Sequence, residues 1–238
     1  MAQKVVQEMS LVRHPQPSLL DQLTQYLPDY MTRKPSSTLD LLTFWDILQT
    51  LLIPIWPRSR TLVNGRAIGD AWNLSTLQRQ LASTEADESS YIQPFHKLTQ
   101  WLAYSLMVPF QRILGLTWKN TSSLTALPEY RNGGLFVDMG VLVLREEALK
   151  RGLEASSDGS GLPVFGAGDD VVVEWRAMTL VLVDKLYKLV LERVEGVQLS
   201  MAQLLEAGTW KAGREIAATK RPKTKSSPII IESDGTVF

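Results

Sequence analysis

At 238 residues the chain has room for one sizeable hydrophobic core or two small ones, and its 25 basic and 25 acidic side chains cancel, so no net field draws it to nucleic acid or an anionic membrane surface. Cysteine is absent, which removes disulfides, thiolate nucleophiles and sulfur-ligated metals together, and the two histidines, His14 and His96, show no metal-ligand spacing. A neutral or singly phosphorylated small molecule, bound without metal or cofactor, is the ligand class left in view.

Residues 1–16 read as a flexible lead-in and residues 17–238 as a single domain, mainly α with a few short strands. Met1 to Met9 lacks the apolar core of a secretory signal, and no apolar run is long enough to span a bilayer, so a soluble cytoplasmic protein without membrane contact is expected. Ser18 caps a short predicted helix through Leu19, Leu20, Leu23 and Leu27, which stops before Pro28. Ser36-Ser37-Thr38 caps a stronger one that carries Leu39, Leu42, Trp45, Leu48 and Leu52 and ends at Pro54. Thr61-Leu62-Val63 predicts a short strand entering an Asn64-Gly65 turn, and the polar residues 85–90 an exposed loop.

Pro94 sits where the first turn of a long helix would tolerate a missing N–H, so that helix is predicted from Pro94 to Leu106, with Pro109 kinking or restarting it. Lys97, Gln100 and Tyr104 fall at three- and four-residue steps and share one face. Residues 137–150 predict a helix or helix-turn-helix, and the Ser-, Gly- and Asp-rich residues 154–168 a mobile loop. Residues 169–195 are long and strongly apolar, and their later Leu-Lys-Leu periodicity favours a buried helix over a strand. Ser200-Met-Ala-Gln203 is a capping box that opens a last helix. Lys220 to Lys225 reads as a basic linker without interleaved aromatics, a weak nucleic-acid signal, and the apolar end from Pro228 to Phe238 is expected to dock on the body.

The densest polar stretch is Leu124 to Asp138, which holds Glu129, Tyr130, Arg131, Asn132 and Asp138 around Gly133-Gly134. Two readings stand for Glu129: a helix cap or partner of Arg131, or a functional carboxylate. Asn132 and the glycines read either as a plain turn or as the turn that aims a site. Glu174 and Arg176 interrupt an apolar run and require partners, because unpaired buried charge is costly. A cross-chain network of Glu129 with Arg176 and Glu174 with Arg131 would satisfy all four. Lys97 reads as a solvated helix residue or as a ligand-binding cation. Composition and spacing go no further than a mostly helical protein with a buried polar network.

Leu127-Pro-Glu-Tyr-Arg-Asn-Gly-Gly-Leu-Phe-Val-Asp138, Val173-Glu-Trp-Arg-Ala177, Gly208-Thr-Trp-Lys-Ala-Gly-Arg-Glu-Ile-Ala217 and Ile231-Glu-Ser-Asp-Gly-Thr-Val-Phe238 resemble the uracil-catabolism (URC pathway) family known as URC four or Urg three. The match begins near Pro17 and covers the C-terminal portion of that family. More distantly, Phe95-His-Lys-Leu-Thr-Gln100, Leu124-Thr-Ala-Leu-Pro-Glu-Tyr-Arg131 and Val173-Glu-Trp-Arg176 are similar to the ordered motifs of queuosine-nucleotide salvage glycosylases. That resemblance implies a helical fold like that of DNA glycosylases and an N-ribosyl hydrolase that frees urea from a ribosylurea-type nucleotide. Glu129 is the implied catalytic carboxylate, standing where the glycosylases have aspartate. Lys97, Tyr130, Arg131, Asn132, Asp138, Glu174 and Arg176 are the implied binding residues, and a nucleotide or nucleoside derivative the implied partner. The other reading is a non-catalytic regulatory or scaffolding protein of pyrimidine catabolism, or an inactive shortened paralogue.

Overall fold

The computed structural model describes residues 38–57, 59–81, 87, 89–157, 159–194, 196 and 198–233. The predicted lead-in, the helix through Leu19 to Leu27, His14, half of the 85–90 loop and the last five residues lie outside them. The fold is mainly α with short two-stranded pairings, as the periodicity predicts. No helix among the described residues is long and apolar enough to cross a membrane.

Two compact units are present. One comprises described residues 38–52 and 103–123. Its strand β1 (Thr38–Asp40) pairs in parallel with β6 (Thr117–Lys119), and helix α1 (Leu41–Leu52) buries Leu41, Phe44, Leu48 and Leu52 along one stripe. Phe44, Phe110 and Trp118 meet at centroid distances of 5.1 to 5.9 Å and form its aromatic centre. The predicted helix start at Thr38 is corrected here. Thr38 to Asp40 are claimed by the strand pairing, and Asp40 Oδ1 accepts the Leu42 N–H to open the helix instead.

The second unit comprises residues 53–102 and 124–233. Leu62–Val63 (β2) and Arg66–Ala67 (β3) form the predicted hairpin, with Asn64 at φ 51° and Gly65 at φ 73°, the positive pair that a tight I′-type turn requires. Ala71–Asn73 (β4) pairs antiparallel with Ile92–Pro94 (β5), flanking helix α2 (Ser75–Leu81). Pro94 therefore closes a strand rather than opening a helix. The chain turns at His96, φ 45°, and α3 runs from Lys97 to Arg112 with Pro109 inside it. Helix α4 (Tyr130–Asp138) and helix α5 (Glu146–Glu154) follow.

Residues 154–168, predicted as loop, contain strand β7 (Val164–Gly166), which pairs in parallel with β8 (Ile230–Glu232). That pairing is how the apolar C-terminal segment docks, and its partner lies too far away in sequence for a local signal to reveal it. The long helix α6 (Asp170–Arg193) begins at its cap Asp169 and buries Val172, Val173, Trp175, Arg176, Thr179 and Val183. Ser200 and Gln203 form the predicted capping box on the short α7 (Met201–Gln203). A π-helical stretch, Leu204–Trp210, leads from it into α8 (Lys211–Lys220), an insertion the sequence does not announce.

Two glycines let these helices approach. A Cβ on Gly133 would stand 2.6 Å from Thr179 Oγ1 on α6, and one on Gly213 would press on the Arg131 carbonyl oxygen of α4. Because the Gly213 contact is with backbone, it cannot be relieved by a rotamer change. Gly213→Ala is expected to lose about 1–3 kcal/mol in urea unfolding by overpacking; an unchanged midpoint would show that α8 can shift freely.

Candidate functional site

The site is built on Asp70, a fully buried aspartate just ahead of β4. Its backbone carbonyl accepts the N–H groups of Phe95 and His96 at 2.9 and 3.0 Å, and its Oδ2 accepts the Lys97 N–H at 3.0 Å, so one residue fixes the turn that starts α3. Arg176, 2% exposed on α6, grips the same carboxylate with both ends of its fork, Nη1 to Oδ1 at 2.8 Å and Nη2 to Oδ2 at 2.7 Å. The Trp72 indole N–H adds a bond of 2.7 Å, and the guanidinium lies 4.1 Å from the centre of the Phe95 ring. Trp72 is itself held by Arg60, whose guanidinium sits 4.7 Å from that ring. Burial works to raise the Asp70 carboxyl, but the hydrogen bonds and charge of Arg176, with the hydrogen bonds from the Trp72 indole and the Lys97 backbone N–H, hold it below the ordinary carboxylate range.

Next to this pair stand Lys97, which is buried, and Glu129, which is half-buried, within the same electrostatic cluster. Burial lowers the Lys97 ammonium and Arg176 lowers it further, while Glu129 and Asp70 oppose both. Burial raises the Glu129 carboxyl against the pull of Lys97, the N–H groups of Arg131 and Asn132, and the Arg131 charge. A carboxyl pushed up beside an ammonium pushed down is an arrangement suited to proton transfer and to meeting developing positive charge. Glu129 is also the N-cap of α4: its Oε2 accepts from Arg131 N at 2.7 Å and Asn132 N at 3.3 Å. The capping role and the electrostatic contact with Lys97 thus coexist in one side chain.

The turn that carries Glu129 is held by Asn132. Its Nδ2 donates to the Leu127 carbonyl at 3.0 Å and its Oδ1 accepts from Thr209 Oγ1 at 2.9 Å, which ties the turn to the π-helical stretch. Tyr130 lies under the Arg131 guanidinium at 4.6 Å, and Arg131 Nη1 donates to the Lys225 carbonyl. Gln100 exchanges two hydrogen bonds with Thr125, one turn along α3 from Lys97.

Two expectations are corrected. Arg176 pairs with Asp70, not Glu129, because Asp70 offers both oxygens to its fork in a fully buried position. Glu174 accepts from Thr76 Oγ1 at 2.7 Å rather than meeting Arg131, since it projects from a different side of α6 than Arg176. Asp138, about 13 Å beyond Glu129 at 1.5 Å per helical residue, is gripped by both Nη atoms of Arg221, so the basic segment after α8 is a structural clamp as well as a link. The structure thus brings Lys97, Glu129, Arg131, Asn132 and Arg176 into one neighbourhood and sets Asp138 and Glu174 apart from it. Asp70 went unseen in the sequence. The only signal for it was the need of Arg176 for an acid, which does not say which of the acids answers.

Glu174 lines a separate groove of about 820 Å³ whose walls include Leu74, Leu77, Leu142, Val143, Trp175 and Met178, with Arg79 and Arg145 at its edge. Lys97, Glu129 and Arg131 are not among its lining residues. Among the described residues no three His, Asp or Glu side chains are placed to hold a metal ion.

His96 is held below the ordinary imidazole range first by burial and then by Arg176, with Asp70 opposing. The folded protein therefore binds this proton less readily than the unfolded chain. The corresponding stability is complete above about pH 6.5 and is lost as pH falls through the folded value. His96→Asn keeps the positive φ, which asparagine tolerates, and should make stability fall less steeply below about pH 6.5. Urea unfolding at a series of pH values checks this, and a slope identical to that of the parent protein would rule it out.

Residues 2–238 match the family described as protein of unknown function DUF1688. The chain is 50% identical over 206 residues to Protein urg3 of Schizosaccharomyces pombe, covering 85% of this chain and 46% of that protein. It is 42% identical over 247 residues to Uracil catabolism protein 4 of Lachancea kluyveri, covering 99% of this chain and 56% of that protein. The chain thus spans about half the length of the curated relatives it matches. With the match running over nearly its whole length and through the Glu129 and Arg176 motifs, the chain belongs to the DUF1688 family, the family of Urg three and URC four.

Proposed function

We propose that the protein acts in pyrimidine breakdown as an N-ribosyl hydrolase on a ribosylurea-type nucleotide, releasing urea. A relative named as a uracil catabolism protein supports the pathway. The observation that carries the reaction is the half-buried Glu129 carboxyl, raised by desolvation and set against Lys97. Cleaving the C1′–N bond builds positive charge on the ribose. A fixed carboxylate beside C1′ stabilises that charge and takes a proton from the attacking water, while the departing urea nitrogen is protonated and the new C1′–OH remains on the sugar. Lys97 and Arg131 favour the ionised carboxylate, and Lys97 offers a point charge to a 5′-phosphate.

Incubation with ribosylurea 5′-phosphate, followed by urea release, tests the proposal. Urea and ribose 5-phosphate in equal amounts are expected. A folded protein that forms neither, in this chain and in a full-length relative alike, would leave the second reading: a non-catalytic protein of the same pathway. The observation on that side is the double backbone capping by Glu129, which gives the carboxylate a structural task without any substrate.

A further inference from the structure

The groove bordered by α2, α5 and α6 is not used by the ribosidase reading, and its edge is unusual for a protein surface. Val143 is 82% exposed and Met178 41% exposed, and both line it. One turn along α6, on the Met178 side, Val181 is 50% exposed, whereas Val172, Val173 and Val183 of the same helix are fully buried. Exposed apolar side chains grouped at a groove mark an interaction surface. At the polar edge Arg79 and Arg145 make no ion pair among the described residues. An apolar centre rimmed by charge of both signs, Arg79, Arg145 and Arg151 with Glu147, Asp170 and Glu174, is the anatomy of a protein–protein contact.

The relatives supply an occupant. About half of each curated relative lies outside the part that this chain matches, 54% of one and 44% of the other by difference from the matched 46% and 56%. We propose that the groove and the exposed apolar face of α6 seat the polypeptide that corresponds to this unmatched part, received through an apolar surface. A small ligand would fill the groove of about 820 Å³ but would leave Val181, which is not among its lining residues, in water. A polypeptide covers both.

Carbene footprinting of this chain and of the full-length Lachancea kluyveri protein tests the proposal with both proteins intact. In this chain Val143, Met178 and Val181 should label strongly. In the full-length relative the matching positions should label at least about fivefold less, as burial of an exposed apolar patch requires. The position matching Leu153, on α5 and not among the groove residues, should label equally in both. Equal labelling of the three groove positions in the two proteins would overturn the proposal. So would protection that appears in this chain alone as its concentration rises, because that outcome assigns the surface to a second copy. The result is independent of any ribosidase activity.

Discussion

Replacing Asp70 by asparagine is expected to lower the unfolding free energy by about 3–5 kcal/mol, measured by urea denaturation near neutral pH. Asp70 is fully buried and Arg176 is 2% exposed, so the substitution removes a negative charge and leaves a guanidinium in the interior without its counter-ion. Asparagine keeps one acceptor oxygen, but its amide nitrogen offers a donor where Arg176 or Lys97 N–H already donates. Arg176→Met should cost a similar amount for the mirror reason. The Asp70→Asn, Arg176→Met double variant should lose less than the two single losses added together, because no lone charge remains buried. A loss of under about 1 kcal/mol for Asp70→Asn would show that water reaches the pair. The acid limb follows the same logic. The Asp70 carboxyl is held below its ordinary value, so its contribution is complete above about pH 3.8 and is lost as pH falls through the folded value.

Glu129→Gln is expected to reduce urea release by about 10²- to 10³-fold while changing stability by no more than about 1 kcal/mol. The asymmetry comes from what the side chain does. A glutamine oxygen still accepts the Arg131 and Asn132 N–H groups, so the α4 cap survives, but the charge that would meet the ribosyl cation is gone. Undiminished release from this variant would sink the assignment of Glu129, and a stability loss equal to the activity loss would mean that the cap, not the charge, was removed. Lys97→Met supplies a separate readout. Lys97 draws the Glu129 carboxyl downward, so its removal should move the rising limb of the pH–rate profile to higher pH, since the reaction uses the ionised form. A profile that keeps its midpoint would count against coupling between the two groups.

Much of the local structure was legible because its causes are local. The 24-residue helix α6 announces itself by length and periodicity, the Asn64-Gly65 hairpin by two residues that accept positive φ, and α7 by the Ser200 and Gln203 capping box. The errors came where a distant partner changed a local preference. Thr38 looks like a cap until Thr117 to Lys119 pair beside it, and Pro94 looks like a helix start until Ala71 draws it into a strand. Neither partner lies within the window that a helix or cap signal can sample.

The candidate site divides along the same line. The sequence groups Glu129, Arg131 and Asn132 in one polar stretch, the family resemblance adds Lys97, and the apolar run around Arg176 demands a counter-ion. The identity of that counter-ion is a property of the folded chain alone. Asp70 lies 106 residues from Arg176, and it is chosen because the turn into α3 buries its carboxylate with two oxygens facing the guanidinium fork. Helix formation and capping are decided over a few residues by backbone geometry and hydrogen bonding. Pairing of buried charge is decided by which groups lose their water together, and only the packed chain determines that.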